Sequence, residues 1–214
     1  MKISRVKLYM NFDHLIKSFF KNFKKSEKNI ENTLKSKLDK QFIHFTGMCR
    51  TSFILILDFL IKKYPKKKEL IICSYNLKEM IDIARLKNFK IKLLDIDINT
   101  GVMNRDLIQK TCNSNTAAIL FTNMFNSNNS LIELKKFCKE NEILLIEDNA
   151  IYYGNYYLDN EKKKYSGSFG DVSLLSFGIM KNISAIYGGA LLTSNREISE
   201  FVNENLKRYK SFSK

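Results

Sequence analysis

The chain has 214 residues, of which 44% are hydrophobic, and this length suffices for one α/β domain with a core or for two very small domains. Its longest apolar run, Phe53 to Ile61, is interrupted by Asp58 and is too short to span a bilayer. The N-terminal lysines are not followed by the apolar core of a signal peptide. We therefore expect a cytoplasmic protein without a membrane partner. The net charge of +14 leaves binding to nucleic acid or to an anionic membrane as an alternative function. The lysines are scattered, however, and no platform of aromatic and basic residues is evident, so we expect no nucleic-acid partner.

The first 40 residues are polar and basic, and we interpret them as an N-terminal basic helical segment. Apolar residues recur at helical spacing between Phe19 and Leu38, which predicts a surface helix. Residues 41–214 then form the second unit.

From residue 41 onward, apolar strand patterns alternate with helical patterns. Strands are predicted at 42–45, 69–73, 89–95, 116–121 and 143–146, and helices at 51–63, 77–87, 104–110 and 130–141. Such alternation implies a largely parallel sheet with helices on its faces, which is the α/β class.

The pattern changes in the last quarter of the chain. Strands are predicted at 172–177 and 189–193, and too few residues separate them for a crossover helix. An irregular segment, 178–187, lies between them, and a helix follows at 195–209. The lysine clusters 66–68 and 162–164 are predicted to lie in loops.

The four cysteines form no C-x-x-C pair, and neither histidine lies near two of them, so no metal site is expected. Each cysteine lies among apolar residues and is interpreted as a reduced, buried small hydrophobe.

Two polar residues stand where a ligand would be expected in such a sheet. Asp148 directly follows a predicted buried strand, and ligands collect at the carboxyl ends of parallel strands. Lys181 lies among apolar residues between two strands, where burial would favour a neutral, nucleophilic amine. The alternatives are that Asp148 caps the next turn and that Lys181 is a solvated surface charge.

Together these residues belong to a series of motifs that resembles the DegT/DnrJ/EryC1/StrS family of sugar aminotransferases. The motifs occur in the family's order at residues 146–150 (IEDNA), 167–172 (GSFGDV), 176–177 (SF), 181–182 (KN) and 188–195 (GGALLTSN). A weaker resemblance extends back to about Phe23.

The resemblance implies an aspartate-aminotransferase-like, fold type I large domain, with a mixed, mostly parallel sheet between helices. It implies that residues 41–214 bind pyridoxal 5'-phosphate and that the family's small C-terminal domain is absent. It further implies transfer of an amino group, with glutamate as the expected donor, to a nucleotide-linked keto sugar, in a homodimer whose active sites lie at the subunit interface.

The family's site residues can be carried over by motif. Lys181 would bind the cofactor's aldehyde and then act as acid and base, Asp148 would pair with the ring nitrogen, and Ala150 would pack beneath the ring. Ser176 would contact the phosphate.

The main phosphate site would be the start of a helix at residues 49–52, where Arg50 and Thr51 could add side-chain donors. The alternative is that Thr51 or Ser52 only caps its own helix.

Departures from the family pattern raise a second hypothesis, a truncated or non-catalytic relative that keeps the fold without turnover. Leu77 stands where the family has an aromatic residue over the ring, and Ile151 where Gln or His touches the ring hydroxyl. Tyr187 interrupts a glycine-rich motif, and residues 123–126 depart from a His-x-Tyr-Gly loop. The family's dehydratase members have histidine at the position of Lys181, so the lysine favours an aminotransferase.

Overall fold

A computed structural model describes residues 13, 16–17, 23–124, 131–151, 153–159 and 161–209. The strands in these residues are β1 (Phe42–Thr46), β2 (Glu69–Cys73), β3 (Lys90–Leu94), β4 (Thr116–Thr122), β5 (Leu144–Asp148), β6 (Tyr156–Asp159), β7 (Lys162–Tyr165), β8 (Val172–Ser176) and β9 (Gly189–Thr193). The helices are α1 (Phe23–Leu38), α2 (Cys49–Lys63), α3 (Lys78–Leu86), α4 (Arg105–Thr111), α5 (Ile132–Glu140) and α6 (Arg196–Leu206).

Seven of the described strands form one sheet in the order β1-β9-β8-β5-β4-β2-β3. The strands β3, β2, β4, β5 and β8 run parallel to one another, whereas β9 is antiparallel to both β8 and β1. The mixed, mostly parallel sheet predicted from the sequence is therefore confirmed.

Helices cover both faces of the sheet, because consecutive strand residues point to opposite faces. On one face, Leu70 and Ile72 of β2 pack in a cluster with residues of α2, α3 and α6. On the other, Ile71 packs in a cluster with residues of α4 and α5. The central strands are buried on both sides, which accounts for their continuous apolar sequences.

The helix α1 packs on the sheet near its β1 edge. Its Leu34 and Leu38 are buried against Leu175, Ala190 and Leu192 of β8 and β9. The predicted helix is thus described from Phe23 onward, whereas residues 18–22 lie outside the described part. The division of the chain at residue 40 stays a prediction.

One hairpin of the described residues lies apart from the main sheet. In it β6 and β7 pair antiparallel, so the prediction that Lys162–Lys164 form a loop is wrong. The strands are held by backbone pairing, by an edge contact between Tyr156 and Tyr165 with ring centroids 5.9 Å apart, and by Lys163 over the Tyr156 ring.

The cysteines are free, as predicted, but their burial differs. Cys73 and Cys138 are buried in the core, whereas Cys49 and Cys112 are only partly buried, so that part of the prediction is wrong for these two. Within the described residues, no helix has the length and apolar character needed to cross a membrane.

Candidate active site

A cavity of about 340 Å³ opens at the carboxyl ends of the central strands. At this edge Thr122, the last residue of β4, is paired with Asp148, the last residue of β5. The side chains that line the cavity come from residues that end or follow β2, β4, β5 and β8: Tyr75, Asn76, Leu77, Thr122, Met124, Asp148, Ala150, Ile151 and Lys181. The site therefore lies where parallel sheets ordinarily bind ligands.

Asp148 contributes a buried carboxylate to this cavity. The side chain accepts a hydrogen bond of 3.0 Å from the amide of Ala150, and no ion pair to it occurs among the described residues. Burial raises the pKa of Asp148 above its usual range, while the Ala150 amide and the charge of Lys181 oppose this rise. A cationic ligand group beside Asp148 would relieve the cost of burying its charge.

Lys181 reaches the same cavity from a segment between two antiparallel neighbours. Ser176, which ends β8, is paired with Gly189, which begins β9, so residues 177–188 leave and rejoin the sheet at one place. Inside the segment, the amide of Lys181 donates to the Gly178 carbonyl at 3.0 Å. Lys181 and Asp148 line one cavity, and the roles predicted for them stay predictions.

The first turn of α2 lies close to both residues. Burial raises the pKa of the Cys49 thiol, the charge of Asp148 adds to the rise, and the charges of Lys181 and Arg50 oppose it. The backbone bridge between Met48 and Gly188 likewise places the start of α2 beside the segment that carries Lys181.

The structure corrects the alternative interpretation of this helix start. The N-cap residue is Met48, which has no side-chain capping bond, so Thr51 and Ser52 lie inside the first turn and do not cap α2. Ser52 instead shares a 2.8 Å hydrogen bond with Thr46 at the end of β1. The amides at the helix start thus lack a side-chain acceptor among the described residues.

Gly189 allows this helix start to approach the sheet. A Cβ at Gly189 would stand 2.6 Å from the Met48 carbonyl carbon and 2.8 Å from the Cys49 Cα, which no side chain can occupy. Any other residue at 189 would therefore push α2 away from the edge that carries the cavity.

The remaining predicted site residues do not line the cavity in the described part of the chain. Ser176 and Lys181 both lie near Gly178, since a Cβ there would be 3.8 Å from the Ser176 Oγ and from the Lys181 Cγ. Arg50 instead forms an exposed ion pair with Glu79, with 3.5 Å between nitrogen and oxygen. The roles assigned to Ser176, Arg50 and Thr51 stay predictions.

Two departures from the family pattern do line the cavity. Leu77 and Ile151 both belong to its wall, and each leaves about half of its surface exposed. Of the 123–126 motif, Met124 also lines the cavity, and residues 125–126 lie outside the described residues.

Several lining residues were not predicted from the sequence. Tyr75, Asn76 and Thr122 follow or end β2 and β4, and the Asn76 amide donates to the Thr122 hydroxyl at 2.9 Å. The rule that led to Asp148, that ligands collect at carboxyl ends of parallel strands, could have led to these residues as well.

Comparisons with known proteins give a family for this arrangement. The sequence profile of the DegT/DnrJ/EryC1/StrS aminotransferase family matches residues 10–209. A curated relative, GDP-4-keto-6-deoxy-D-mannose 3-dehydratase of Escherichia coli O55:H7 (strain CB9615 / EPEC), is 29% identical over 109 residues, which are 51% of this chain and 27% of the relative.

Solved structures share the fold. An Escherichia coli GDP-4-keto-6-deoxy-D-mannose-3-dehydratase with hydrated pyridoxal phosphate bound has a TM-score of 0.71 and 23% identity, covering 82% of this chain and 45% of that one. A Helicobacter pylori aminotransferase involved in pseudoaminic acid biosynthesis has a TM-score of 0.71 and 20% identity, covering 81% of this chain and 45% of that one. The chain thus spans less than half the length of these relatives.

Proposed function

The chain belongs to the DegT/DnrJ/EryC1/StrS aminotransferase family, and on that premise we propose that it is a pyridoxal-phosphate-dependent aminotransferase, which transfers an amino group from glutamate to a nucleotide-linked keto sugar. The family comprises pyridoxal-phosphate-dependent aminotransferases and dehydratases of such sugars, and its solved members have the fold type I architecture. The observation that carries the proposal is the meeting of Asp148 and Lys181 in one cavity.

The residues of the cavity fit the cofactor. Its volume of about 340 Å³ is in the range of small-molecule sites. The buried Asp148 carboxylate lacks a cationic partner among the described residues, and a protonated ring nitrogen would supply one. The short side chain of Ala150 leaves room for a flat ring beside this carboxylate.

Pyridoxal phosphate, when bound, supplies a conjugated ring that takes up the electron pair released at a substrate carbon. Asp148 would hold a proton on the ring nitrogen, which that chemistry requires. Lys181 would hold the cofactor covalently through its Nζ until the amino group of the donor displaces it, and the freed amine would then take a proton from the substrate carbon and return it.

The start of α2 would hold the phosphate group. Helix N-termini favour anions through their free amides and the helix dipole, and α2 is a helix of 15 residues without a side-chain cap. Arg50 and Thr51 would add donors, and Ser176 would add a hydroxyl. The ion pair of Arg50 with Glu79 is solvent-exposed, so exchanging it for a phosphate would cost little.

An aminotransferase is favoured over a dehydratase by Lys181. Dehydratase members of the family have a histidine where this chain has the lysine, and a histidine cannot hold the cofactor covalently in the same way. The similarity to a dehydratase therefore supports the substrate class rather than the reaction.

A homodimer is the assembly we propose, in keeping with the resemblance. Large apolar side chains near Lys181 are exposed, including Met180 at 73% and Tyr187 at 70%. A second copy that covered them would also close the open side of the cavity. Light scattering on the purified protein would measure the mass of the particle and test this arrangement.

A second candidate function, binding without turnover, is favoured by Leu77 and Ile151. Both residues line the cavity where the family has ring contacts, so the ring would be held less firmly. This alternative shares the cofactor and the fold and differs only in the reaction with an amino donor.

The proposal is tested by the visible absorption spectrum of the purified protein with added pyridoxal phosphate. Wild type should develop the band of the lysine-bound cofactor, and Lys181→Ala should not. Lys139→Ala, which removes an exposed lysine of α5 that does not line the cavity, is the matched control and should behave as wild type. Borohydride reduction followed by peptide mapping should locate the cofactor on residue 181.

Glutamate then separates the two candidate functions. Loss of the band on adding glutamate supports an aminotransferase, and a band that glutamate leaves unchanged supports the non-catalytic relative. A folded wild-type protein without any band would contradict the cofactor assignment itself.

A further inference from the structure

The loop at residues 167–170, which lies between β7 and β8, is held by a carboxylate that the proposed chemistry does not use. Glu147 is fully buried, and its carboxylate accepts hydrogen bonds from the amides of Gly167 at 3.0 Å, Phe169 at 2.8 Å and Gly170 at 2.6 Å. Hydrogen bonds to a charged acceptor are stronger than neutral ones. The amide side of the loop is thus fixed to β5.

The carbonyl side of the same loop is held by a buried lysine. The Nζ of Lys40 donates to the carbonyls of Ser168 at 3.1 Å and Gly170 at 2.6 Å, and 7% of Lys40 is exposed. Lys40 lies two residues after the end of α1, so it is distant in sequence from the loop that it contacts. The loop therefore lies between an anion that binds its amides and a cation that binds its carbonyls.

The loop also has a backbone form that depends on glycine. Gly167 has a φ of +97°, and a Cβ there would stand 2.6 Å from the Ser173 Oγ. Ser173 in turn donates to the Gly167 carbonyl at 2.7 Å. The compact turn that places both sets of backbone groups could not form with a side chain at 167.

Charged groups from several elements face Lys40. Burial lowers the pKa of Lys40 to about 8, the carboxylates of Glu147, Asp171 and Asp39 oppose this fall, and the charge of Lys135 on α5 adds to it. The ammonium is thus retained at neutral pH by the carboxylates around it, although it is removed from water.

This arrangement is joined to the candidate site through β5. Glu147 immediately precedes Asp148, and the Asn149 amide donates to the Leu174 carbonyl of β8 at 2.9 Å. Asp171, next to the loop, accepts from the Leu145 amide and donates its own amide to the Leu145 carbonyl. A shift of the loop would consequently move the end of β5.

We propose that Lys40 and Glu147 are positioning residues, which hold the loop 167–170 from its two sides and thereby fix the Asp148 carboxylate in the cavity. The inference rests on the proposed function, because positioning matters only if Asp148 meets the cofactor. It also gives Lys40 a role in shaping the site, although the described hydrogen bonds of Lys40 are to Ser168 and Gly170, which do not line the cavity.

Amide hydrogen exchange in the cofactor-free protein tests the coupling. Lys40→Met and Glu147→Gln should both speed exchange at Phe169 and Gly170 in the loop, and also at Asn149 and Ala150 at the end of β5. Lys67→Met is the matched control, because Lys67 also donates to two backbone carbonyls, those of Asn141 and Glu142, outside this region.

Cofactor affinity tests the consequence for the site. Lys40→Met should raise the Kd for pyridoxal phosphate roughly three- to tenfold, the effect expected from losing one or two ordinary hydrogen bonds. Lys40→Arg, which keeps the charge and the donors, should restore most of the affinity, and Lys67→Met should leave it unchanged. Should Lys40→Met fail to fold, Glu147→Gln serves the same comparison, since it retains the side-chain shape and cannot accept all three amides.

The outcomes separate this inference from the proposed function. Faster exchange confined to residues 167–170, with unchanged exchange at Asn149 and Ala150, would overturn the positioning role. If wild type binds no pyridoxal phosphate, the proposed function fails, and the exchange at Asn149 and Ala150 still decides whether Lys40 and Glu147 fix the end of β5.

Discussion

Glu147 and Asp148 are consecutive buried carboxylates at the end of β5, and they point to opposite faces of the strand. Glu147 accepts three amides of one loop, whereas Asp148 accepts the single amide of Ala150 and lines the cavity. The Glu147 carboxylate is bound to backbone amides of the protein itself, whereas the Asp148 carboxylate is available to a ligand. This difference distinguishes them more clearly than their sequence positions do.

Replacement of Asp148 by Asn should leave the cofactor-free protein at least as stable as wild type at pH 7. Burial raises the pKa of Asp148 in the folded state, so its contribution to stability is present below its unfolded value and is lost as the pH rises through the folded value. Asn removes the buried charge. Urea unfolding at pH 7 without cofactor measures this effect.

The same variant should bind pyridoxal phosphate at least about tenfold more weakly, because a charge-assisted hydrogen bond to the ring nitrogen is lost. A less stable Asp148→Asn with wild-type affinity would contradict both expectations. Asp106→Asn, at an exposed position on α4, is the control and should change neither the stability nor the affinity.

Replacement of Gly189 by Ala should displace the start of α2. The added Cβ would overlap the backbone of Met48 and Cys49, and overpacking of this kind costs roughly 1–3 kcal/mol. We expect a lower free energy of unfolding and weaker binding of pyridoxal phosphate. Gly47→Ala is the matched control, since nothing lies within 4 Å of a Cβ there, and equal behaviour of the two variants would refute the close approach.

The stability difference between wild type and Lys40→Met should increase with pH. The pKa of Lys40 falls from 10.5 to about 8 on folding, so between these values the unfolded chain retains a proton that the folded chain has released. The free energy of unfolding of wild type then rises with pH, by on the order of 2 kcal/mol between pH 8 and 10, relative to the variant. Guanidinium unfolding at several pH values measures this, and a constant difference would contradict it.

Replacement of Leu77 by Phe should tighten binding of pyridoxal phosphate. Leu77 lines the cavity, and an aromatic ring stacked on another contributes about 0.5–1.5 kcal/mol beyond its buried area. We expect a Kd roughly two- to tenfold lower, measured by the visible band. Leu86→Phe, at an exposed position that ends α3 and lies outside the cavity wall, should leave the Kd unchanged.

The fold could be predicted where strands are buried on both faces. The sequence predicts β2 and β9 with their observed bounds, because an uninterrupted apolar run is enough to mark a strand in the middle of a sheet. It does not predict the hairpin of β6 and β7, because the consecutive lysines of β7 show no alternation of apolar and polar residues. That hairpin depends on pairing and on the Tyr156–Tyr165 contact, which a single-strand pattern does not reveal.

The candidate site was predictable where motifs carried it. Asp148, Ala150 and Lys181 line the cavity as the motif order implied, but Tyr75 and Met124 do so only because β4 lies beside β5 and β2 lies beside β4 in the sheet. Strand order is a property of the folded sheet, and hydrophobic periodicity does not contain it. The role of Glu147 was missed for the same reason, since its partners lie some twenty residues further along the chain.

Because Ser176 pairs with Gly189, the segment 177–188 that carries Lys181 can be replaced without changing the sheet. Because residues 177–188 depart from the sheet and return to it at adjacent positions, insertions, deletions or whole replacements there need not alter any strand. Evolution could vary the reach of the amine in this way on an unchanged scaffold. For enzyme engineering, the same property makes this segment suitable for grafting, and a library of loops from relatives could be inserted between Ser176 and Gly189.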